Sequence, residues 1–152
     1  MGKHFIFTID DNIRFFEETE KNALASIFDN PYLAMLKRLH RKYSVKIQLN
    51  LFYEKKSFNL SMFSNKYARE FDEASDWLKL SFHSKLENIN PYKESGYDEV
   101  YRDGAAVNLE ILRFAGERSL GKTTTLHFCT ATKEGLSALY DIGILGLLGL
   151  YG

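Results

Sequence analysis

The sequence predicts an α/β fold in which parallel strands alternate with helices. Short runs in which polar and apolar residues alternate are typical of strands, and the longer segments between them have apolar residues at helical spacing. The resulting order, βαβαβαβαβ, is typical of a parallel sheet or barrel. With 152 residues, twelve Phe and nine Tyr, the chain can bury a sizeable core, and we expect a single domain over residues 1–152.

Five segments have the residue pattern of strands. They are His4 to Ile9, Lys46 to Phe52, Leu78 to Phe82, Thr123 to Leu126 and Ile144 to Tyr151. In the first four, one face is apolar and the other carries polar side chains such as Gln48 and Asn50, because side chains alternate along a strand. In a barrel the polar faces would line the interior near its mouth, which predicts a hydrophilic pocket.

The segments between the strands carry helix signals. Asn30 followed by Pro31 provides a cap and a first-turn proline, and Ser95-Gly96-Tyr97-Asp98 fits a capping box. We therefore expect helices from Pro31 to about Ser44, over Asn65 to Ala74, from Ser95 to about Phe114, and over Thr132 to Tyr140.

The first four predicted strands each end in side chains that can do chemistry. Asp10 and Asp11 follow the first strand, Tyr53 the second, His83 the third and His127 the fourth. Because the carboxyl ends of parallel strands lie at one rim, we expect a shared site there. On an extended backbone the two adjacent carboxylates point to opposite sides, so one could accept protons while the other binds a metal. Alternatively, one of them caps the following segment.

A metal site is also indicated by His83 and Glu87, which lie four residues apart. If the chain turns helically after the third strand, both side chains share one face and could hold one ion; a surface pair is the alternative interpretation. Imidazole with carboxylate suits zinc, manganese, iron, cobalt or nickel better than calcium. For His127, a hydrogen-bonded core histidine, a metal ligand and an acid catalyst all fit the sequence.

The composition argues against several classes of partner. Lys plus Arg equals Asp plus Glu at 20 each, so no net charge attracts nucleic acid or an anionic membrane. No apolar run approaches the roughly 20 residues of a membrane-spanning helix, and the first residues show no signal-peptide pattern. We therefore expect a cytoplasmic protein that binds neither nucleic acid nor membrane. The single Cys129 excludes an internal disulfide, which is compatible with a reducing compartment.

One motif points to a different function. Residues 116–123, GERSLGKT, match the P-loop pattern G-x-x-x-x-G-K-[ST]. A P-loop needs a strand before it and a helix after it, so that backbone amides and the helix dipole converge on phosphate. In this chain a predicted helix precedes the motif and the β-branched run Thr123-Thr124-Thr125 follows it. We therefore expect the two glycines to end the helix and form a loop, without nucleotide binding.

With Asp10-Asp11 and His83 at one rim, the sequence resembles the polysaccharide deacetylase family, the NodB-like carbohydrate esterases. That family's first motif ends a strand in Thr-Phe-Asp-Asp-Gly, where this chain has Thr8-Ile9-Asp10-Asp11-Asn12. Its second motif is His-Ser/Thr-x-x-His, where this chain has His83-Ser84-Lys85-Leu86-Glu87. The family's arginine-proline motif is not visible, and its closing Leu-x-His motif would lie beyond Gly152.

The resemblance implies parallel strands that form part of a deformed, incomplete deacetylase-like barrel. It also implies a metal-dependent hydrolase that removes acetyl groups from an acetylated carbohydrate. Tyr53 lies at the rim, where an aromatic ring could stack on the sugar, and Asn50 is a second candidate contact with the substrate. The alternative is a non-catalytic module of the same fold that binds a glycan or a protein. Because five strands cannot close an eight-stranded barrel, we expect a partner subunit against the last strand, or a longer parent protein.

The resemblance also implies roles for the polar residues at the rim. Asp10 would be the catalytic base. Asp11, His83 and Glu87 would hold a divalent transition metal, with zinc as the first choice. His127 would be a third ligand or the general acid.

Overall fold

The strands form the framework on which the rest of the chain is arranged. The computed structural model describes residues 6–87 and 91–149. In these ranges the strands are β1 (Ile6–Asn12), β2 (Lys46–Phe52), β3 (Glu54–Lys55), β4 (Phe58–Asn59), β5 (Leu78–Ser84), β6 (Thr123–Thr124) and β7 (Gly146–Leu147). The α-helices are α1 (Arg14–Lys21), α2 (Pro31–Tyr43), α3 (Ala68–Ala74), α4 (Tyr97–Ala115) and α5 (Lys133–Asp141).

The central sheet is parallel and has the order β1-β2-β5. A second parallel pair, β6-β7, is joined to it at the Gly121 amide, which donates to the Leu80 carbonyl over 2.7 Å. The short strands β3 and β4 form an antiparallel hairpin after β2. The predicted α/β class with parallel strands is confirmed, and the strands of the described ranges form no closed barrel.

Phenylalanines from separate elements fill much of the core beside the sheet. Phe16 of α1, Phe71 of α3 and Phe114 of α4 meet around Phe63, with ring centroids 4.8 to 6.4 Å apart. All four are buried to 1% exposure or less, and rings in such edge and tilted contacts contribute stability beyond their buried area. This cluster holds the helices against the strands whose ends form the site.

The strand predictions differ in how well they match the structure. The predicted Lys46–Phe52 strand is β2 to the residue, and the third strand extends two residues further than predicted, to Ser84. The predicted Thr123 to Leu126 strand is wrong in length, because only Thr123–Thr124 pair. The carbonyl of the next residue, Thr125, is taken by the His83 ring and not by a neighbouring strand.

The last strand and one helix start also need correction. Of the predicted strand over residues 144–151, only Gly146–Leu147 pair, and residues 150–152 lie outside the described ranges, as do His4 and Phe5 of the first predicted strand. The long helix α4 begins at Tyr97 with Gly96 as its cap residue, two residues after the predicted start at Ser95.

The polar faces of the strands fill the interior. Gln48, Asn50, Ser81 and His83 are at most 4% exposed, so the expected hydrophilic pocket between the strands is occupied by side chains. Most of these groups are bonded to one another or to backbone, as the cost of burying an unpaired polar group requires.

The P-loop-like segment lies between a helix and a strand, in the predicted order. α4 leads into Gly116, whose φ of 83° is a left-handed conformation that favours glycine. A Cβ on Gly121 would lie 2.8 Å from the Gln48 side-chain oxygen, so this position must stay small for Gln48 to pass. No helix follows to direct its amides at a phosphate, since β6 begins at Thr123.

None of the helices in the described ranges is long and apolar enough to cross a lipid bilayer.

An exposed apolar surface lies at β7, where Leu145, Leu147 and Leu148 are 41 to 65% exposed. Leu147 and Leu148 border a groove of about 420 Å³ that also includes Leu136. Among the described strands, β7 pairs only with β6, and an unpaired edge of this kind favours pairing with another chain.

We therefore expect the protein to self-associate through the β7 face. Replacing Leu145 with Lys should lower the average mass measured by light scattering across a concentration series, because a charge at the contact must be desolvated. Leu109→Lys is the matched control, since Leu109 on α4 is also 65% exposed. A wild-type protein that stays monomeric at all concentrations would show that this face has no second copy as partner.

Candidate metal centre

Three side chains from distant parts of the chain converge on one point. His83 Nε2 lies 3.1 Å from Asp11 Oδ1 and 3.1 Å from His127 Nδ1. The remaining distance, from His127 Nδ1 to Asp11 Oδ1, is 3.5 Å. His83 is buried, His127 half-buried and Asp11 exposed, so the cluster is closed on the protein side and open toward solvent.

Both histidines use their other ring nitrogen to bind a backbone carbonyl. His83 Nδ1 contacts the Thr125 oxygen, and His127 Nε2 contacts the Glu87 oxygen at 2.6 Å. Because a carbonyl oxygen only accepts hydrogen bonds, these two ring nitrogens carry the protons. In the neutral rings, the nitrogens that face the cluster are therefore unprotonated and present lone pairs.

Two lone pairs and a carboxylate oxygen that face one another repel unless a cation lies between them. Backbone carbonyls that hold the far side of the rings are the usual outer partners of metal-bound histidine. Burial lowers the pKa of His83 below its ordinary value, mainly by desolvating the charged form, which favours the neutral ring that a metal requires. Two imidazoles and one carboxylate match the protein ligands of catalytic zinc sites.

A bulge in β1 brings both acidic residues to this point. Ile9 pairs with Leu49 and Asn12 with Leu51, so three steps along β1 match two along β2. Asp11 in the bulge has a φ of 62°, a left-handed conformation that aspartate tolerates better than most residues. The two carboxylates were expected on opposite sides, but the bulge turns both toward the His83 ring: Asp10 Oδ1 lies 4.0 Å from its Nδ1.

Asn12 holds the bulge in place and was not identified from the sequence. Its buried amide donates to the Ile9 carbonyl at 2.6 Å and to the Asp10 carbonyl at 3.0 Å. Its oxygen accepts from the Tyr32 hydroxyl at 2.9 Å. The signal was present in the sequence, because asparagine stands where the family's motif has glycine, and an amide can bond to nearby backbone.

Asp10 is oriented by a chain of buried amides. The Asn50 amide donates to Asp10 Oδ1 at 2.7 Å, and Gln48 donates to the Asn50 oxygen at 2.8 Å. Gln48 in turn donates to the Thr123 carbonyl and accepts from its hydroxyl. The predicted sugar-contacting residue Asn50 is fully buried and acts on Asp10 in this structure. The other oxygen of Asp10 has no hydrogen-bond partner among the described residues.

His127 was predicted to lie at the end of a strand, but it reaches the cluster from a tight turn. Residues His127–Cys129 form a 3₁₀ turn, and Phe128 and Cys129 both have φ near 60°. Such left-handed residues are costly and tend to occur where the fold requires one particular placement.

The fully buried ring of Phe52 packs edge-on against both imidazoles, with centroids 5.2 Å from His83 and 5.0 Å from His127.

Two other predicted site residues lie apart from the cluster. The Glu87 carboxylate forms an ion pair with Lys55, and only its backbone oxygen contacts a cluster residue. The chain after β5 bends without forming a helical turn, so His83 and Glu87 do not share a helix face. Tyr53 packs against the core, with its amide bonded to the Ser84 carbonyl at 3.0 Å.

A cleft opens beside the two aspartates. It has a volume of about 330 Å³ and is lined by Asp10, Asp11, Asn12, Ile13, Arg14, Phe15, Glu18 and Tyr32. This volume is at the lower end of the range for small-molecule sites. Tyr32, not Tyr53, is the tyrosine of this cleft, and Arg14 is its cation.

Comparisons with known proteins identify a structural neighbour and no close sequence relative. No family model and no curated protein matches the chain. The structure is similar to that of a CE4 family pseudoenzyme from Bacillus anthracis, with a TM-score of 0.60 and 15% sequence identity. A mutant of that pseudoenzyme with restored enzymatic activity matches with a TM-score of 0.61 and 17% identity.

Each match covers 96% of this chain, and they cover 43% and 44% of the neighbour's chain. The chain thus spans less than half the length of the proteins it resembles. At this low identity the similarity shows the fold only. That fold is of the polysaccharide deacetylase type, the family that the sequence motifs resemble.

The role of Asn12 gives a testable prediction. Replacing Asn12 with Ala should lower the free energy of unfolding by about 1–3 kcal/mol, because two backbone carbonyls and the Tyr32 hydroxyl lose a buried partner. Urea unfolding measures this change. Asn65→Ala is the control, since Asn65 is exposed. Equal stability of the two variants would mean that the bulge does not depend on Asn12.

Proposed function

We propose that this protein is a metal-dependent hydrolase similar to the polysaccharide deacetylases, and that it removes acetyl groups from an acetylated carbohydrate. The observation that carries the proposal is the convergence of two unprotonated ring nitrogens and one carboxylate oxygen beside a second, independently held carboxylate. Each feature has a separate structural cause: the carbonyls that fix the rings, the bulge in β1, and the amide chain that ends at Asp10.

The proposed metal ligands are Asp11, His83 and His127. This set differs from the one predicted from the motifs, in that His127 replaces Glu87. A divalent ion such as zinc, bound by these three, would supply Lewis-acid polarisation of the acetyl carbonyl and of a water molecule. Nitrogen and oxygen donors in this proportion also accommodate manganese, iron, cobalt or nickel.

Asp10 is the proposed general base. One of its oxygens accepts from Asn50, which fixes the plane of the carboxylate and leaves the other oxygen to accept a proton from water. The carboxylate is 38% exposed, so water in the cleft can reach it. Asn50 is neutral, so it orients the carboxylate without adding a positive charge of its own.

His127 fits a ligand role better than the alternative role of general acid. Its Nε2 is bonded to the Glu87 carbonyl and its Nδ1 faces Asp11 and His83. With both nitrogens engaged, the ring has no free N–H to give to a leaving group. The cleft beside the aspartates would receive the sugar, with Tyr32 as its aromatic wall.

A second candidate function has its own support. Wild-type forms of the structural neighbour are described as a pseudoenzyme, and in this chain the family's second motif ends in Glu87, whose carboxylate is paired with Lys55. The same fold and cluster could therefore serve a non-catalytic module that binds a glycan or a protein. Metal loading without acetate release, together with glycan binding measured by calorimetry, would favour this module.

The first prediction from the proposal concerns metal binding. Wild-type protein should bind one zinc ion, and His83→Ala or His127→Ala should weaken binding at least about 100-fold, since even an outer partner of a ligand is worth 10–100-fold. Competition with a chromogenic chelator measures the affinity. His40→Ala is the control, because His40 stacks on Trp77 away from the cluster. Equal zinc affinity in wild type and His83→Ala would refute the site.

The second prediction separates the two aspartates. Asp10→Asn should keep the zinc affinity within a few-fold of wild type but reduce acetate release at least about 100-fold, as expected for loss of a general base. Asp11→Asn should impair both. Acetate is measured enzymatically with acetylated chito-oligosaccharides as substrate. Full activity of Asp10→Asn, alongside an active wild type, would show that another group takes the proton.

A further inference from the structure

An ion pair lies one contact away from the cluster without supplying an atom to it. Lys55 Nζ on the β3–β4 hairpin contacts Glu87 Oε2, and the two side chains are 13% and 34% exposed. This pair is more enclosed than the Arg69–Glu73 pair on the surface, whose side chains are 89% and 61% exposed. An enclosed pair is screened less by solvent and is more costly to break.

The backbone brings Lys55 to this place. The β2–β5 pairing continues beyond the strand ends, because the Tyr53 amide donates to the Ser84 carbonyl and the Glu54 amide to the Lys85 carbonyl, both at 3.0 Å. Lys55 follows directly and lies beside the segment that leaves β5. The hairpin is therefore held against the loop that carries Glu87 by main-chain bonds, and the ion pair extends this ladder by one side-chain contact.

Glu87 makes one contact through its side chain and another through its backbone. Its carboxylate binds Lys55, and its backbone oxygen accepts from His127 Nε2 at 2.6 Å. The Lys55 ammonium holds the pKa of the Glu87 carboxyl below its ordinary value, so the carboxylate is ionised at neutral pH. Beyond this carbonyl, the polar contacts of the His127 ring among the described residues are His83 and Asp11 themselves.

We propose that Lys55 is a positioning residue for His127. By holding the Glu87 side chain, Lys55 fixes the Glu87 carbonyl at the place where it takes the Nε2 proton of His127, so that the unprotonated Nδ1 faces Asp11 and His83. The same ion pair keeps the Glu87 carboxylate away from the cluster. The effect on metal affinity rests on the proposed function; the effect on the tautomer of His127 does not.

The experiment compares Lys55→Met, Lys55→Arg and Glu87→Gln in the full chain. Methionine keeps the apolar stem of lysine and removes the charge, whereas arginine keeps the charge. Nitrogen-15 NMR of the histidine side chains reports which ring nitrogen carries the proton, and chelator competition reports zinc affinity. Arg69→Met is the matched control, because it removes a cation from an ion pair far from the cluster.

Wild-type protein and Arg69→Met should show His127 with the proton on Nε2. Lys55→Met and Glu87→Gln should show a mixture of tautomers and about tenfold weaker zinc binding, in the range found for outer partners of a ligand. Combining the two substitutions should add little to either one, since both remove the same pair. Lys55→Arg should restore most of the wild-type tautomer and affinity.

A wild-type tautomer in a folded Lys55→Met protein would overturn the inference, as would full additivity of Lys55→Met and Glu87→Gln. If Lys55→Met does not fold, by near-UV circular dichroism, the milder Glu87→Gln decides the outcome by the same two measurements. A wild-type protein that binds no zinc would refute the proposed function. In that case the NMR comparison alone still decides the role of Lys55.

Discussion

The candidate centre depends on two hydrogen bonds that point away from it. Each imidazole gives its only proton to a backbone carbonyl, that of Thr125 for His83 and that of Glu87 for His127. The paths of two loops therefore decide which ring nitrogen is free, and with it the chemistry of the cluster. Thr125 immediately follows β6, so the residue at which this short strand ends is also the one that fixes the His83 ring.

One face of the central sheet is polar, whereas most parallel sheets are apolar on both faces. Gln48 and Asn50 are buried and bonded to each other, and they link the β6 backbone to Asp10. A partly satisfied network of this kind would be costly, and a satisfied one is rigid. Leucines at these positions would add hydrophobic stabilisation, whereas the amides instead fix the orientation of the Asp10 carboxylate. Leu49, Leu51, Leu80 and Phe82 of the same sheet are fully buried, and the phenylalanine cluster around Phe63 adds to this apolar core.

Alternation along the strands was enough to predict the parallel α/β class and the bounds of β2, because burial on one face imposes a period of two. Strand-end logic also grouped Asp10, Asp11 and His83 correctly in space. It could not predict the bulge, since adjacency on an extended backbone implies opposite directions. Nor could spacing show where the Glu87 carboxylate points. Its i,i+4 relation to His83 places both side chains on one face only if a helix follows, and the chain bends there instead. His127 was identified as a candidate because it was expected at a strand end, but a turn places it in the cluster.

The GERSLGKT segment illustrates how unrelated local constraints can produce a familiar pattern. Gly116 is required by its left-handed backbone, Gly121 by the passage of the Gln48 side chain, and Thr123 by its hydroxyl bond to that same side chain. Three of the pattern's defining letters therefore have explanations that involve no phosphate. A scan by pattern alone would retrieve this chain as a P-loop protein, whereas a scan that also required a strand before the first glycine and a helix after the lysine would not.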